Sequence, residues 1–224
     1  MNALEFIQSD ALYTLLFGYK GSGKTTAGLI RIVDKALQHN KKREGSRWAI
    51  VQNTYKSRGN SVGDLIDHWD MLCHVLPDAY VVWENTAVVD DRVLSCFISQ
   101  STPLQPYSSL VVRLDFYSVD DVGDSNFLAS SLSYDGVWFD DVHRWQFDAK
   151  YVRQAAVLTR RSTEPSIQIT SNVLSTEHWA NTMWQLSPGG ERIETRIEQS
   201  YAQERIRQQS AVFFIEAPAL HLHL

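Results

Sequence analysis

Residues Gly18-Tyr19-Lys20-Gly21-Ser22-Gly23-Lys24-Thr25 fit the pattern G-x-x-x-x-G-K-[ST], and no other stretch constrains the chain as tightly. Glycines in such a loop let the backbone approach a phosphate closely and take positive φ where needed. Successive N–H groups then converge as an anion nest, and a helix starting near Lys24 adds its own unsatisfied N–H groups and the positive end of its dipole. The flanks suit this geometry. Tyr13-Thr14-Leu15-Leu16-Phe17 reads as a short buried strand, and Ala27, Ile30, Val33 and Leu37 recur at helical spacing. The loop residues Gly18, Tyr19, Lys20, Gly21, Ser22, Gly23, Lys24, Thr25 and Thr26 are therefore expected to cradle the phosphates of ATP. Lys24 should reach the β- and γ-phosphates, and the Thr25 hydroxyl should ligate Mg²⁺.

The second anchor is Gly136-Val137-Trp138-Phe139-Asp140-Asp141, an apolar strand ending in two acids, well downstream of the glycine loop. This is the arrangement of a Walker B segment. Asp140 would hold Mg²⁺, directly or through water. Asp141 stands where ATPases of the additional-strand class usually carry a glutamate that orients the attacking water. The expectation is that this strand lies next to the one beginning at Tyr13. Phe147, Tyr151, Val152, Ala155 and Leu158 suggest a helix, with Arg153, Arg160 and Arg161 on it or at its end. Arginines there suit a helix C-terminus without any function, but guanidinium can also stabilise charge on a transferring phosphoryl group. Ser166-Ile167-Gln168-Ile169-Thr170 alternates as a strand and runs into Ser171-Asn172, polar residues placed to sense a γ-phosphate. Thr176–Leu186 reads as a further helix.

The remaining segments supply scaffold. Trp48–Gln52 reads as a second buried strand, and Val62, Leu65, Ile66, Trp69, Leu72 and Val75 mark a helix over 61–76, closed by Pro77. Between them lies a basic turn with Lys41, Lys42 and Arg43. Residues 79–117 hold short β-prone runs broken by turn residues, the mark of an antiparallel hairpin or small edge sheet leading into a longer strand near 110–117. Asp120, Asp121 and Asp124 form an acidic turn lacking the ligand pattern of a calcium loop, and His143 suits packing or the surface better than acid–base work. Pro188-Gly189-Gly190 is the best internal boundary. It divides an ATPase domain, 1–187, from an appendage or linker, 188–224. Residues 191–209 suit either an amphipathic helix or, in part, a strand. The net charge of −5 argues against a chain that grips nucleic acid through overall positive charge. Cys73 and Cys96 make neither a metal motif nor a disulfide framework, which suits an intracellular setting. No apolar run approaches the roughly 20 residues that span a bilayer.

Taken together, these pieces resemble the ATPase domain of tailed-phage terminase large subunits, the DNA-packaging motors. The resemblance rests on GYKGSGKTT (Gly18–Thr26), GVWFDD (Gly136–Asp141), Leu158-Thr159-Arg160-Arg161, and Ile169-Thr170-Ser171-Asn172 followed by Trp179, which looks like the family's coupling motif. It implies a P-loop NTPase of the additional-strand (RecA-like) class, with a mainly parallel central sheet, helices on both faces and a small antiparallel appendage. It implies ATP and Mg²⁺ as cofactors, and double-stranded DNA, a terminase small subunit and a portal protein as partners. It also implies a homo-oligomeric ring in the host cytoplasm, with no membrane. Lys24, Asp141, Lys20, Arg160 and Arg161 become the catalytic candidates, Thr170, Ser171 and Asn172 the sensor. The sequence departs from the family at Lys20, where arginine is frequent, at Asp141 for glutamate, and at Val173 for proline. The stretch after Gln185 is too short for the nuclease domain that normally follows, so no nuclease activity is expected in this chain. A helicase-like or AAA-type ATPase, and an assembly module that binds ATP but hardly hydrolyses it, remain the alternatives.

Overall fold

The computed structural model describes residues 3–39, 46–52, 80–89, 92–102, 105–118, 133–142, 150–172, 178, 180, 184 and 209–215. Its elements in chain order are α1 (Ala3–Gln8), β1 (Tyr13–Gly18), α2 (Lys24–His39), β2 (Ser46–Gln52), β3 (Tyr80–Val89), β4 (Arg92–Thr102), β5 (Gln105–Ser118), β6 (Gly136–Phe139), α3 (Lys150–Leu158), β7 (Ser166–Ser171) and β8 (Ser210–Ile215). The strands form one sheet in the order β3-β4-β5-β2-β6-β7-β1-β8. Every pairing from β5 to β8 is parallel, while β3–β4 and β4–β5 are antiparallel. The expected RecA-like α/β fold with an antiparallel appendage is what the chain adopts, and the appendage leads through β5 directly into the parallel sheet.

The expected neighbour of the glycine-loop strand is not the observed one. The strand expected to carry the Walker B acids, β6, pairs with β2 and β7, and β7 lies between it and β1. The alternation of β7 explains why its central place was hard to read. Ile167 and Ile169 enter the core with Tyr13, Leu15, Phe17, Val137, Phe139 and the α3 residues Val152, Ala155 and Leu158. Gln168 and Thr170, which suggest a solvated face, are just as buried on the other side. Gln168 donates from Nε2 to the Gly28 carbonyl of α2 (2.9 Å), and Thr170 reaches the acid at the end of β6. A polar side chain with a bond inside the protein can face a helix rather than water, even though the buried Gln168 Oε1 itself has no partner.

Helices cover both faces. On the face opposite α3, Phe6 of α1 packs with Leu16 and Ala27, flanked by Phe213 and Ile215 of β8. Trp138 seats α2 closely, since a Cβ at Gly28 would stand 2.7 Å from its ring. Arg31 of α2 is fully buried and holds α1 in place. Its Nη1 donates to the carbonyls of Phe6 (3.1 Å), Ile7 (2.9 Å) and Ser9 (2.7 Å), and its Nη2 to Ser166 Oγ (3.3 Å). These carbonyls lie at the C-terminal end of a six-residue helix, where acceptors lack helical partners. Burial pulls the guanidinium down to about 10, so it stays charged at neutral pH. Arg31→Met keeps the apolar stem and removes the charged donor from the Ile7 and Ser9 carbonyls, while the Phe6 carbonyl keeps its bond from Ser9 N (3.4 Å). Chemical denaturation should register a loss of about 3 kcal/mol, the scale of two orphaned buried acceptors. A change within about 0.5 kcal/mol, the range of an ordinary surface substitution, would refute the clamp.

Part of the 188–224 segment, Ser210–Ile215, forms the strand beside β1. The boundary at 187–188 lies outside the described residues. So do the helix expected over 61–76, the turn with Lys41, Lys42 and Arg43, Asp120, Asp121, Asp124, His143, Val173, Trp179, Pro188–Gly190 and residues 191–208. Of the helix expected over 176–186, Ala180 and Trp184 are described, and both are fully buried in the α3-side core. No helix among the described residues is long and apolar enough to cross a membrane.

Candidate nucleotide-binding site

Parallel strands deliver all the expected site residues but two to one edge of the sheet. β1 ends at Gly18, β2 at Gln52, β6 at Phe139 and β7 at Ser171, so their C-terminal ends gather around the start of α2. This is where open α/β sheets bind ligands.

The glycine loop has the backbone that its composition predicts. Gly21 and Gly23 lie at φ 80° and 81°, values that side chains rarely tolerate. Ser22 N donates to the Tyr19 carbonyl (3.2 Å), and Ala27 N to that of Gly23 (2.9 Å), which opens α2 at Lys24. The N–H groups of that first turn have no helical acceptor. Tyr19 and Lys20 lie exposed at the outer side of the loop, Thr25 is half-buried, and Lys24 and Thr26 are buried. Lys24 Nζ folds back on its own loop, donating to the Tyr19 carbonyl (2.7 Å) and to Ser22 Oγ (3.4 Å). Burial lowers its pKa, against the pull of Asp141 and then Asp140, which raise it. Its charge is therefore set by burial and by the two acids that follow β6.

Asp140 is nearly fully buried and held from both sides. Thr170 Oγ1 donates to its Oδ1 (2.6 Å), while Trp138 Nε1 donates to Thr170 Oγ1 (2.9 Å), which fixes the direction of the hydroxyl. Gln52 Nε2 approaches Oδ2 at 3.5 Å. Burial pushes the Asp140 carboxyl up to about 6, and Asp141 adds to the rise, while Thr170, Gln52 and Lys24 oppose it. Asp141 stands at φ 59°, the one non-glycine residue at positive φ among those described. Aspartate tolerates this left-handed backbone better than most side chains, because its short carboxylate can bond nearby main chain. That is a physical reason for aspartate where the resemblance leads one to expect glutamate.

Neither a protein-family model nor a curated protein matches the sequence. Solved structures do match. The large terminase ATPase domain of Thermus phage P74-26 is 16% identical, with a TM-score of 0.59 over 96% of this chain and 79% of that one. The large terminase of another thermophilic bacteriophage is 10% identical with a TM-score of 0.62, over 96% of this chain and 44% of that one. The HK97 bacteriophage large terminase gives 10% and 0.51, over 97% and 38%. The fold is that of the large-terminase ATPase domain. The second of these terminases has also been solved with ADP and with ATP-gamma-S.

Within this terminase ATPase fold, the sensor candidates divide. Thr170 contacts Asp140 directly, through its hydroxyl. Ser171 faces Phe17 across the β1–β7 pairing, and its buried Oγ has no hydrogen-bond partner. Asn172 follows, half-buried. Arg160 and Arg161 are the two site candidates that lie elsewhere. They are exposed in the turn after α3, which Asp135 ties to the other edge of the sheet, accepting from Ser162 Oγ (3.1 Å), Arg47 N (2.9 Å) and Ser46 Oγ (3.2 Å). Asp135 and Asp140 are five residues apart along β6, roughly 16 Å at about 3.3 Å per residue. In its own subunit the arginine pair lies at the far edge from the glycine loop. The sequence reading did not pick out Gln52. The sequence alone carries no signal for it, because a polar residue ending a buried strand gains meaning only once its sheet neighbour is known to lead into Asp140.

Proposed function

We propose that the chain is an Mg²⁺-dependent ATPase that drives double-stranded DNA through a ring of identical subunits, as part of a viral genome-packaging motor. The observation that carries this reading is the convergence of Lys24, Asp140 and Asp141 at a helix N-terminus fronted by a glycine loop. The likeness to terminase ATPase domains supports the motor over other ATPases. On this reading the chain works inside the host cell with a small subunit and a portal protein.

The donor set suits magnesium. The Thr25 hydroxyl and Asp140 carboxylate are hard oxygen ligands, and Mg²⁺ is usually held by one or two such groups plus nucleotide phosphates. Among the described residues there is no cluster of three or more acidic, cysteine or histidine side chains, and this chemistry needs none. Bound with ATP, Mg²⁺ would neutralise charge on the β- and γ-phosphate oxygens. The protein's own part is positioning and charge. Loop N–H groups bind the phosphates, and Lys24 turns from the Tyr19 carbonyl to the γ-phosphate. Asp141, one methylene shorter than glutamate, orients the attacking water, and Lys20 adds positive charge at the loop.

The pH dependence follows from Asp140. Its folded-state carboxyl titrates near 6, above the ordinary 3.8, so the native nucleotide-free protein holds this proton more tightly than the unfolded chain. This group favours the folded state below about pH 4 and loses that contribution as pH rises through 6. Metal binding needs the ionised form. Mg²⁺-dependent nucleotide affinity should therefore fall by up to tenfold per pH unit below about 6, a fall that affinity in chelator should not share. Equal pH profiles with and without Mg²⁺ would contradict the assignment of Asp140.

The motor reading is tested by triplex displacement. An assembled ring should strip a third strand from duplex DNA using ATP, without separating the duplex. Strand separation would point instead to a helicase-like enzyme. ATP binding with neither activity would point to the assembly module.

A further inference from the structure

Gln52 is the last residue of β2 and stands level with Asp140, since Val51 pairs with Phe139 and the Asp140 N–H donates to the Val51 carbonyl at 3.0 Å. It is only 4% exposed. Its Nε2 contact to Asp140 Oδ2, at 3.5 Å, lies at the outer limit of a hydrogen bond and is weak. Its Oε1 is buried with no hydrogen-bond partner. A glutamine amide buried for one weak bond, with its acceptor orphaned, costs stability that an apolar side chain would not. Such a group, at the edge where a ligand is expected, calls for a donor that arrives with the ligand.

The chemistry narrows what that donor is. Ionised phosphate oxygens accept hydrogen bonds and offer none, so they cannot satisfy Oε1. Waters on a divalent cation are strong donors, and Mg²⁺ characteristically keeps several of them. Asp140, the acid expected to face the cation, has Thr170 on Oδ1 and Gln52 on Oδ2.

We propose that Gln52 is a positioning residue of the metal–nucleotide site, steering Asp140 through its Nε2–H and accepting a hydrogen bond from a metal-bound water at Oε1. This rests on the proposed Mg²⁺-nucleotide reading of the site. Partners one shell out from a metal commonly change its affinity by tenfold or more when they are lost.

The test is calorimetric titration of the wild-type protein and Gln52→Met with adenylyl imidodiphosphate, in Mg²⁺ and in EDTA. Methionine matches the length of glutamine and removes both the donor and the acceptor. In Mg²⁺ the variant should bind about tenfold more weakly, while in EDTA it should match the wild type. Its nucleotide-free melting temperature should be unchanged or higher, because an orphaned acceptor has been removed. Affinity in Mg²⁺ within twofold of wild type overturns the proposal. An equal loss in both buffers, or a lower nucleotide-free melting temperature, also overturns it by showing a structural role. Failure of the underlying reading looks different: the wild type itself would bind no nucleotide, or bind it equally in Mg²⁺ and EDTA.

Discussion

Lys24→Ala is expected to lower the steady-state rate of ATP hydrolysis about a thousandfold or more, the upper scale for removing one preorganised charge from a transition state. The ammonium is buried against its loop, and burial pulls its pKa down while Asp141 and Asp140 pull it up. Such a group is poised to move. Its bonds to the Tyr19 carbonyl and Ser22 Oγ can be exchanged for phosphate oxygens at little cost. Alanine removes the buried lysine of the loop and deprives Asp140 and Asp141 of the positive charge it holds towards them. Folding should survive, because β1 and the bond from Ala27 N to the Gly23 carbonyl that opens α2 do not depend on that side chain. Circular dichroism matching the wild type, beside lost phosphate release, is the expected pair of results. Unchanged turnover would remove Lys24 from the mechanism.

The second large effect belongs to Arg160 and Arg161. Both are exposed at the sheet edge away from their own glycine loop, so any action on a phosphoryl group must fall on a neighbouring subunit. Lys20 offers a point charge in the same subunit, but not the planar two-pronged donor of arginine. A trans-acting arginine is worth about 10³ to 10⁵ in rate. Arg160→Ala/Arg161→Ala should therefore lose at least about a thousandfold in assembled rings, yet bind nucleotide as the wild type does. Mixed with Lys24→Ala, it should regain activity, because the arginines of one variant serve the intact loop of the other. Wild-type turnover per subunit should rise with protein concentration. If the paired arginine change leaves activity unaltered at every concentration, neither residue is the donor.

The site was legible where chemistry forces residue type. The glycine loop, its strand and its helix follow from Gly21, Gly23 and Lys24, because few other residues permit that backbone and charge. The appendage was legible in the β-prone runs of 79–117. The order of the central strands was not, because β7 buries Gln168 and Thr170 through bonds to partners far away in sequence, Gly28 and Asp140. Helical spacing marked Ala27 and Val33 as core, but could not show that Arg31 lies on the buried side, where its charge is satisfied by α1 carbonyls. β8 was missed although Ser-Ala-Val-Phe-Phe-Ile is a fair strand sequence. It follows a charged stretch, and only its pairing with β1 makes it part of the sheet. Gln52 escaped because a single polar residue ending a strand has meaning only once the neighbouring strand, with Asp140, is known.

Multiple-turnover phosphate release, measured at rising protein concentration with and without double-stranded DNA, tests the central claim most directly. The account predicts many phosphates released per subunit in Mg²⁺-ATP, a rate per subunit that climbs with concentration and with DNA, and none above background in EDTA. Release that stops at one phosphate per subunit or fewer under all these conditions, with nucleotide still bound, would contradict it.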